Sequence, residues 1–152
     1  MAFGFVPIAH IVAAVFAIIE LGLTAYLASA FHSWFGFYGN SPSSVNFMIF
    51  ASVWSLLVLL YVGLTPLYMT SIFHRLAATV LNIITAIFWF AGSIALAVVF
   101  DGPGGVAAAA VAFGFFLWAI FTFLAVIDSM ESLRRRGHSA DTTKNTNAYP
   151  GA

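Results

Sequence analysis

Charged residues are confined to a few positions in this chain, and long uncharged runs separate them. No Asp, Glu, Lys or Arg occurs among the 54 residues 21–74, the 25 residues 76–100 or the 26 residues 102–127. Charged residues make up 7% of the chain and apolar residues 62%, whereas a soluble domain carries about 25% charged residues. So few charges cannot cover the surface of a soluble globular protein, and that class is excluded.

The lengths of the uncharged runs predict four membrane-spanning helices. A helix needs about 20 apolar residues to cross the hydrocarbon core of a bilayer. The first run can hold the end of one span, a loop and a second span, and each later run holds one span. A membrane β-barrel would show short segments of alternating polarity instead. We therefore predict an all-α membrane protein, a four-helix transmembrane bundle with spans at about 6–30, 47–64, 76–100 and 106–127.

Residues 1–136 are predicted to form one four-span domain, followed by a polar tail. The tail, 137–152, has few apolar residues to bury, so we expect it to be disordered. Gly137 is the expected end of the last helix. A loop is expected at 32–46, where glycine, proline and serine are frequent, and a tight turn at 101–105.

The basic residues predict which side of the membrane each loop faces, because Lys and Arg are retained in short cytoplasmic loops. An even number of spans puts both termini, and the loop between spans two and three, on one side. All five basic residues then share that side, which predicts that both termini are cytoplasmic. These residues are Arg75, Arg134, Arg135, Arg136 and Lys144.

Glu20 is the only carboxylate well inside a predicted span. An acidic side chain within the membrane costs free energy, and by default it suggests a functional site such as a proton relay or a cation site. The structural alternative is a neutral carboxylic acid that hydrogen-bonds to a hydroxyl or amide on a neighbouring helix. Small residues share its helix face, which favours close packing. They are Ala13, Ala17, Thr24 and Ala28.

Span three carries a seam of small and polar residues with alternating spacings of four and three. Such a seam allows helices to approach closely and to hydrogen-bond across the contact. Asn82 is the expected partner of Glu20, and the alternative partners are Ser52 and Ser55 in span two. A polar substrate pathway is the functional alternative, but it needs more polar groups than these. The seam comprises Ala78, Asn82, Thr85, Trp89, Gly92 and Leu96.

Ala110 and Gly114 form a pair of small residues four positions apart in span four, beside bulky phenylalanines. One face of the helix can therefore press against a neighbour while the other meets lipid. The pattern does not say whether that neighbour belongs to the same chain or to a second copy. Together with the small-residue faces of spans one and three, it predicts homo-oligomers.

Arg134, Arg135 and Arg136 follow span four at the predicted cytoplasmic surface. Three adjacent arginines at this depth attract anionic lipid by about 1 kcal/mol each. The alternative is a stop-transfer signal that only sets the topology, and it explains the pattern at least as well.

Several function classes are disfavoured by what the chain lacks. It has no cysteine, and therefore no disulfide or thiolate metal site. Its formal net charge is zero, which gives no reason to expect a nucleic-acid partner. The four histidines lack the paired spacing of zinc sites, and no nucleophile elbow or phosphate-binding loop occurs. We therefore expect no enzyme activity and no catalytic, cofactor-binding or metal-binding residue.

Three apolar segments carry a resemblance to a known family. The most specific part is the Phe-Trp-Phe-Ala-Gly sequence at 88–92 in span three. Through these segments, about residues 7–130 resemble the MARVEL domain, the four-span module of myelin-and-lymphocyte, physin, gyrin and occludin proteins. More closely, the chain resembles fungal membrane-associating tetraspans related to the non-classical export proteins of eisosome compartments. The segments are 45–51, 81–92 with 96–97, and 108–113.

The resemblance implies a non-enzymatic membrane organiser, associated with sterol- or sphingolipid-rich domains and with vesicle traffic. It implies the plasma membrane as the first location and endomembrane vesicles as the second, and it supplies no catalytic residues. The chain departs from much of the family in having Glu20, no cysteine and a very short second outer loop. Two other functions stay open: a small proton-coupled transporter that uses Glu20, and an accessory subunit of a larger membrane complex.

Overall fold

An α-helix lets a single apolar segment cross hydrocarbon because it bonds its backbone N–H and C=O groups internally, where no water can do so. In the computed structural model each of the four predicted spans is accordingly part of a helix. The structure describes residues 4–35, 40–68, 75–100 and 105–146. Its helices are α1 Phe5–Phe35, α2 Ser43–Tyr68, α3 Arg75–Val99 and α4 Gly105–Thr146.

Each helix contains a stretch that is long and apolar enough to span a membrane. The four-span, all-α architecture predicted from the sequence is therefore confirmed. An even number of crossings leaves both ends of the chain on the same side of the membrane. The four stretches are Phe5–Phe31, Ser43–Thr65, Leu76–Val99 and Gly105–Arg134.

The connection between α1 and α2 is shorter than the predicted loop at 32–46, because both helices extend into it. The Pro42 carbonyl accepts hydrogen bonds from the backbone N–H groups of Val45 and Asn46, at 3.0 and 3.2 Å. These bonds satisfy amides that the first turn of a helix otherwise leaves without partners. Residues 36–39 of the predicted loop lie outside the described residues.

The two ends of α4 bear on two predictions. At its start, Gly105 has a φ of 84°, which glycine adopts without steric cost. The rest of the predicted 101–105 turn lies outside the described residues.

At its end, α4 continues through Gly137 to Thr146, where the sequence predicts disorder. A glycine inside a helix costs about 1 kcal/mol relative to alanine, so it does not end a helix that is already formed. Residues 147–152 lie outside the described part.

The four helices pack in the cyclic order α1, α2, α3, α4. α1 contacts α2 and α4, and α3 contacts the same two helices, while the diagonal pairs make no backbone contact within the described residues. Small and polar side chains face the interior together with some large ones such as Trp89 and Phe121, while other large apolar side chains, such as Ile18, face outward. This distribution suits lipid, where close packing and not burial of apolar surface holds helices together.

Two glycines let three helices approach one another closely. A Cβ atom at Gly92 of α3 would lie 2.6 Å from Met48 Sδ of α2. A Cβ atom at Gly114 of α4 would overlap Ser93 Oγ of α3, and it would lie 3.1 Å from Met48 Cε. The unbranched Met48 side chain therefore occupies the space that both glycines leave open, and it reaches from α2 across the bundle to α4.

We expect Gly114→Ala to lower the free energy of unfolding by about 1–3 kcal/mol, because overpacking a close helix contact costs this much. Gly22→Ala is the matched control, since a Cβ atom there has no neighbour within 4 Å. The control should be neutral or more stable, because alanine is the better helix former. Equilibrium unfolding of the purified protein in mixed micelles, followed by circular dichroism, measures both variants. Equal stabilities would contradict the close contact between α3 and α4.

Candidate functional site

Buried polar residues in the interior of the bundle form the candidate site. Inside a membrane bundle, such groups either join helices or mark functional sites, so their hydrogen-bond partners decide between the two roles. Among the described residues the buried polar side chains come from α1, α2 and α3. They are Glu20, Thr24, Ser44, Ser52, Ser55, Thr79, Asn82, Thr85 and Ser93.

Two tryptophan–hydroxyl bonds connect α2 to α3. Trp89 Nε1 donates to Ser55 Oγ at 2.8 Å, and Trp54 Nε1 donates to Thr85 Oγ1 at 3.1 Å. Each hydroxyl also donates to the backbone carbonyl four residues earlier in its own helix, at 2.7 Å. Both hydroxyls therefore act as donor and acceptor at once, and both indole N–H groups are satisfied away from water. These bonds cross-link two neighbouring helices.

Asn82 bonds to a residue that the sequence does not suggest as its partner. Its Nδ2 donates to Asp128 Oδ2 of α4 at 2.8 Å. The expected partner, Glu20, belongs to α1, which lies diagonally across the bundle from α3. In the sequence Asp128 marks the end of span four, but α4 continues beyond it and holds the carboxylate against α3. The pair therefore links α3 to α4.

Glu20 is completely buried, and neither of its carboxyl oxygens has a hydrogen-bond partner. The nearby Thr24 hydroxyl donates to the backbone carbonyl of Glu20 at 2.8 Å, not to the carboxyl group. The Asn82 Oδ1 atom is also buried and unpartnered, so the expected Glu20–Asn82 bond is absent. A buried polar group without a partner needs an explanation, such as an ion, a water molecule or a functional role.

The small residues that predict self-association lie inside the bundle and not on its surface. Ala13 and Ala17 of α1 and Ala110 of α4 are completely buried. Gly92 and Gly114 are buried as well, in the contacts described above. These faces are therefore used for helix packing within one chain.

Basic residues collect at one end of the bundle. Arg134 is exposed at the end of the apolar stretch of α4. The side chains of Arg135 and Arg136 lie outside the described ones. α3 begins at Arg75, at the same end of the bundle, because α3 and α4 run in opposite directions. This end can therefore attract negative charge.

The described part of the chain shows no candidate metal site. No group of three or more His, Asp or Glu side chains there is close enough to hold an ion. His10 Nδ1 donates to the Val6 carbonyl of its own helix at 2.7 Å. The polar interior can thus join helices, and it leaves the Glu20 carboxyl as an unexplained ionisable group.

One family match covers the first three apolar stretches and most of the fourth. A model of the MARVEL family, described as a membrane-associating domain, matches residues 5–127. The chain belongs to the MARVEL family. No significant match to the chain was found among curated proteins or among solved structures. The MARVEL match therefore supports a membrane-associating domain, while the role of each interior residue has to be argued from its contacts.

Sequence reasoning did not identify the most connected interior residues. Met48 and Ser93 lie against the two glycines, and Trp54 and Asp128 carry hydrogen bonds between helices. The sequence does contain a signal for Asp128, because it stands six residues before Arg134, while Asn82 stands seven residues after Arg75. These similar distances from the basic end of the bundle place Asn82 and Asp128 at similar depths.

We expect Glu20→Leu to raise the free energy of unfolding by about 1–3 kcal/mol, because burying a polar group without a partner costs this much. Glu20→Gln should change the free energy of unfolding little, because the amide has a similar shape and would also lack hydrogen-bond partners. Thermal unfolding in a mild detergent measures both variants against the wild type. A clear loss of stability in Glu20→Leu alone would show that the carboxyl group has a stabilising partner.

Proposed function

We propose that this MARVEL protein is a non-enzymatic integral membrane protein that organises lateral membrane domains or vesicle membranes through self-association and lipid contacts. The observation that carries the proposal is the outward surface of the four spans. Large apolar and aromatic side chains dominate it, while most polar side chains in the described part of the spans are turned inward. Such a surface can recognise lipids and other helices, and it offers no polar site for a soluble substrate.

The hydrogen bonds of the interior also favour an organiser over a transporter. Trp89–Ser55, Trp54–Thr85 and Asn82–Asp128 each join one pair of adjacent helices. Groups that are bonded to each other in this way hold helices together and are not free to bind a moving substrate. We infer a rigid bundle whose function lies on its outer surface.

The unpartnered Glu20 carboxyl favours a second candidate function, a small proton-coupled transporter. A buried acid without a partner can exchange a proton, and in transporters such acids mark the ion pathway. An accessory subunit of a larger membrane complex is a third candidate, because the exposed apolar faces would serve it equally well.

The proposed location is the plasma membrane, with endomembrane vesicles as the alternative. The resemblance of segments 45–51 and 81–92 to fungal membrane-associating tetraspans of eisosome compartments supports this setting. Sterols or sphingolipids are the lipids that the same resemblance suggests as partners. Self-association in this proposal uses the outward faces, since the small-residue faces lie inside the bundle.

We expect tags at either terminus to be protected from membrane-impermeant reagents in intact cells, because the basic residues predict that this end of the bundle is cytoplasmic. A tag inserted between Gly39 and Ser43 should be reachable from outside. Permeabilised cells provide the control, since all three tags should then react. An externally accessible C-terminus would overturn the orientation.

We expect the tagged wild-type protein to form slowly exchanging patches in the membrane, measured by fluorescence recovery after photobleaching. Glu20→Gln should form the same patches, because an organiser needs no proton exchange at this position. Proteoliposomes of the wild type should show no proton flux beyond that of Glu20→Gln. Flux that depends on Glu20, or a folded Glu20→Gln protein without biological function, would favour the transporter instead.

A further inference from the structure

We propose that a groove between α3 and α4 binds an acyl chain of an anionic phospholipid, whose headgroup lies at the basic end of the bundle. This inference rests on the proposed function, since it gives the lipid contacts a location and a lipid class. The groove has a volume of about 540 Å³. Large outward-facing side chains form its walls, among them Ile83 and Ile87 of α3 and Val126 and Leu133 of α4.

The floor and the deep end of the groove differ from the rest of the lipid-facing surface. Phe90 and Trp118 close the deep end, with their ring centroids 5.4 Å apart. The floor contains Thr122 and Ser129. The Thr122 hydroxyl is buried and has no hydrogen-bond partner, whereas Ser129 donates to the Ala125 carbonyl at 2.7 Å. The packing of the chain itself is therefore incomplete along this floor.

The length of the groove matches one leaflet of a bilayer. On α4 it extends from Trp118 to Leu133, which is about 22 Å at a rise of about 1.5 Å per residue. Half of the hydrocarbon core measures about 15 Å, and the headgroup region adds about 5–8 Å. A lipid that stands along the groove therefore has its chain end near Phe90 and Trp118, and its headgroup beside Leu133.

Charge complementarity identifies the headgroup as anionic. Arg134 follows directly after Leu133 and is exposed, and Arg135 and Arg136 continue the basic run. Two carboxylates, Asp128 and Glu131, precede the arginines on α4. Asp128 accepts the bond from Asn82 and thus faces α3. The excess of positive charge beyond the groove therefore selects a phospholipid with net negative charge over a zwitterionic one.

Trp118 provides a built-in probe for the lipid in the groove. Trp118 is 37% exposed, whereas Trp89 is completely buried. The full-length protein is placed in phosphatidylcholine nanodiscs that contain a minor fraction of either dibrominated phosphatidylserine or dibrominated phosphatidylcholine, because bromine quenches tryptophan at contact. The difference between the wild type and Trp118→Phe isolates the emission of Trp118.

We expect brominated phosphatidylserine to occupy the site about fivefold more strongly than brominated phosphatidylcholine, since one basic residue near the surface contributes about that factor. Replacing Arg134, Arg135 and Arg136 together by glutamine should remove the preference, and Lys144→Gln is the control that keeps it. Val126→Phe should fill the groove and reduce quenching by both lipids. Val12→Phe, on the exposed face of α1, is its matched control.

Equal quenching by the two lipids in the wild type would overturn the proposal. Stronger quenching by a brominated sterol would also overturn it, as would cross-linking of Trp118 to a second copy of the chain without quenching by any lipid. The patches expected in cells test the proposed function separately. Patches without lipid selectivity would refute the groove site alone, and selectivity without patches would refute the organiser alone.

Discussion

Close approach of helices is the constraint on which the rest of this structure depends. In hydrocarbon no burial of apolar surface drives helices together, so packing contacts and hydrogen bonds between them have to do so. Gly92 and Gly114 provide the necessary space, and Met48 fills what remains between three helices. Large apolar side chains that do not fit into this interior remain on the outside, where they form the lipid-facing surface and the groove between α3 and α4.

The cyclic order of the helices explains which polar residues are satisfied. Hydrogen bonds form where polar side chains face each other on adjacent helices, as for α2 with α3 and for α3 with α4. Glu20 faces the interior from α1, and no group from its neighbours reaches its carboxyl oxygens. Among the described residues, Glu20 is the one buried carboxylic acid with neither oxygen bonded, and it is the observation behind the alternative of a transporter.

The spans and the family were accessible from the sequence, while the partners of individual residues were not. The lengths of the uncharged runs predict four helices whatever the packing. The apolar segments indicated a MARVEL domain, which the match to residues 5–127 confirms. The partner of Asn82 depends on which helices are adjacent, and the expected bond to Glu20 assumed a contact that the diagonal placement of α1 and α3 prevents. The end of α4 was also misplaced, because a single glycine does not outweigh the helix that precedes it.

The sequence by itself determined that this chain lies in a membrane, how often it crosses and which end carries the basic residues. These properties follow from the transfer of each segment into hydrocarbon, which depends on local composition and length. Only the tertiary structure decided that the small-residue faces meet within one chain, that Asn82 bonds to Asp128, and that α3 and α4 leave a groove open. Those outcomes depend on contacts between segments that are far apart in the chain. The shapes of the side chains that meet at such contacts decide them, and the composition of a single segment does not reveal those shapes.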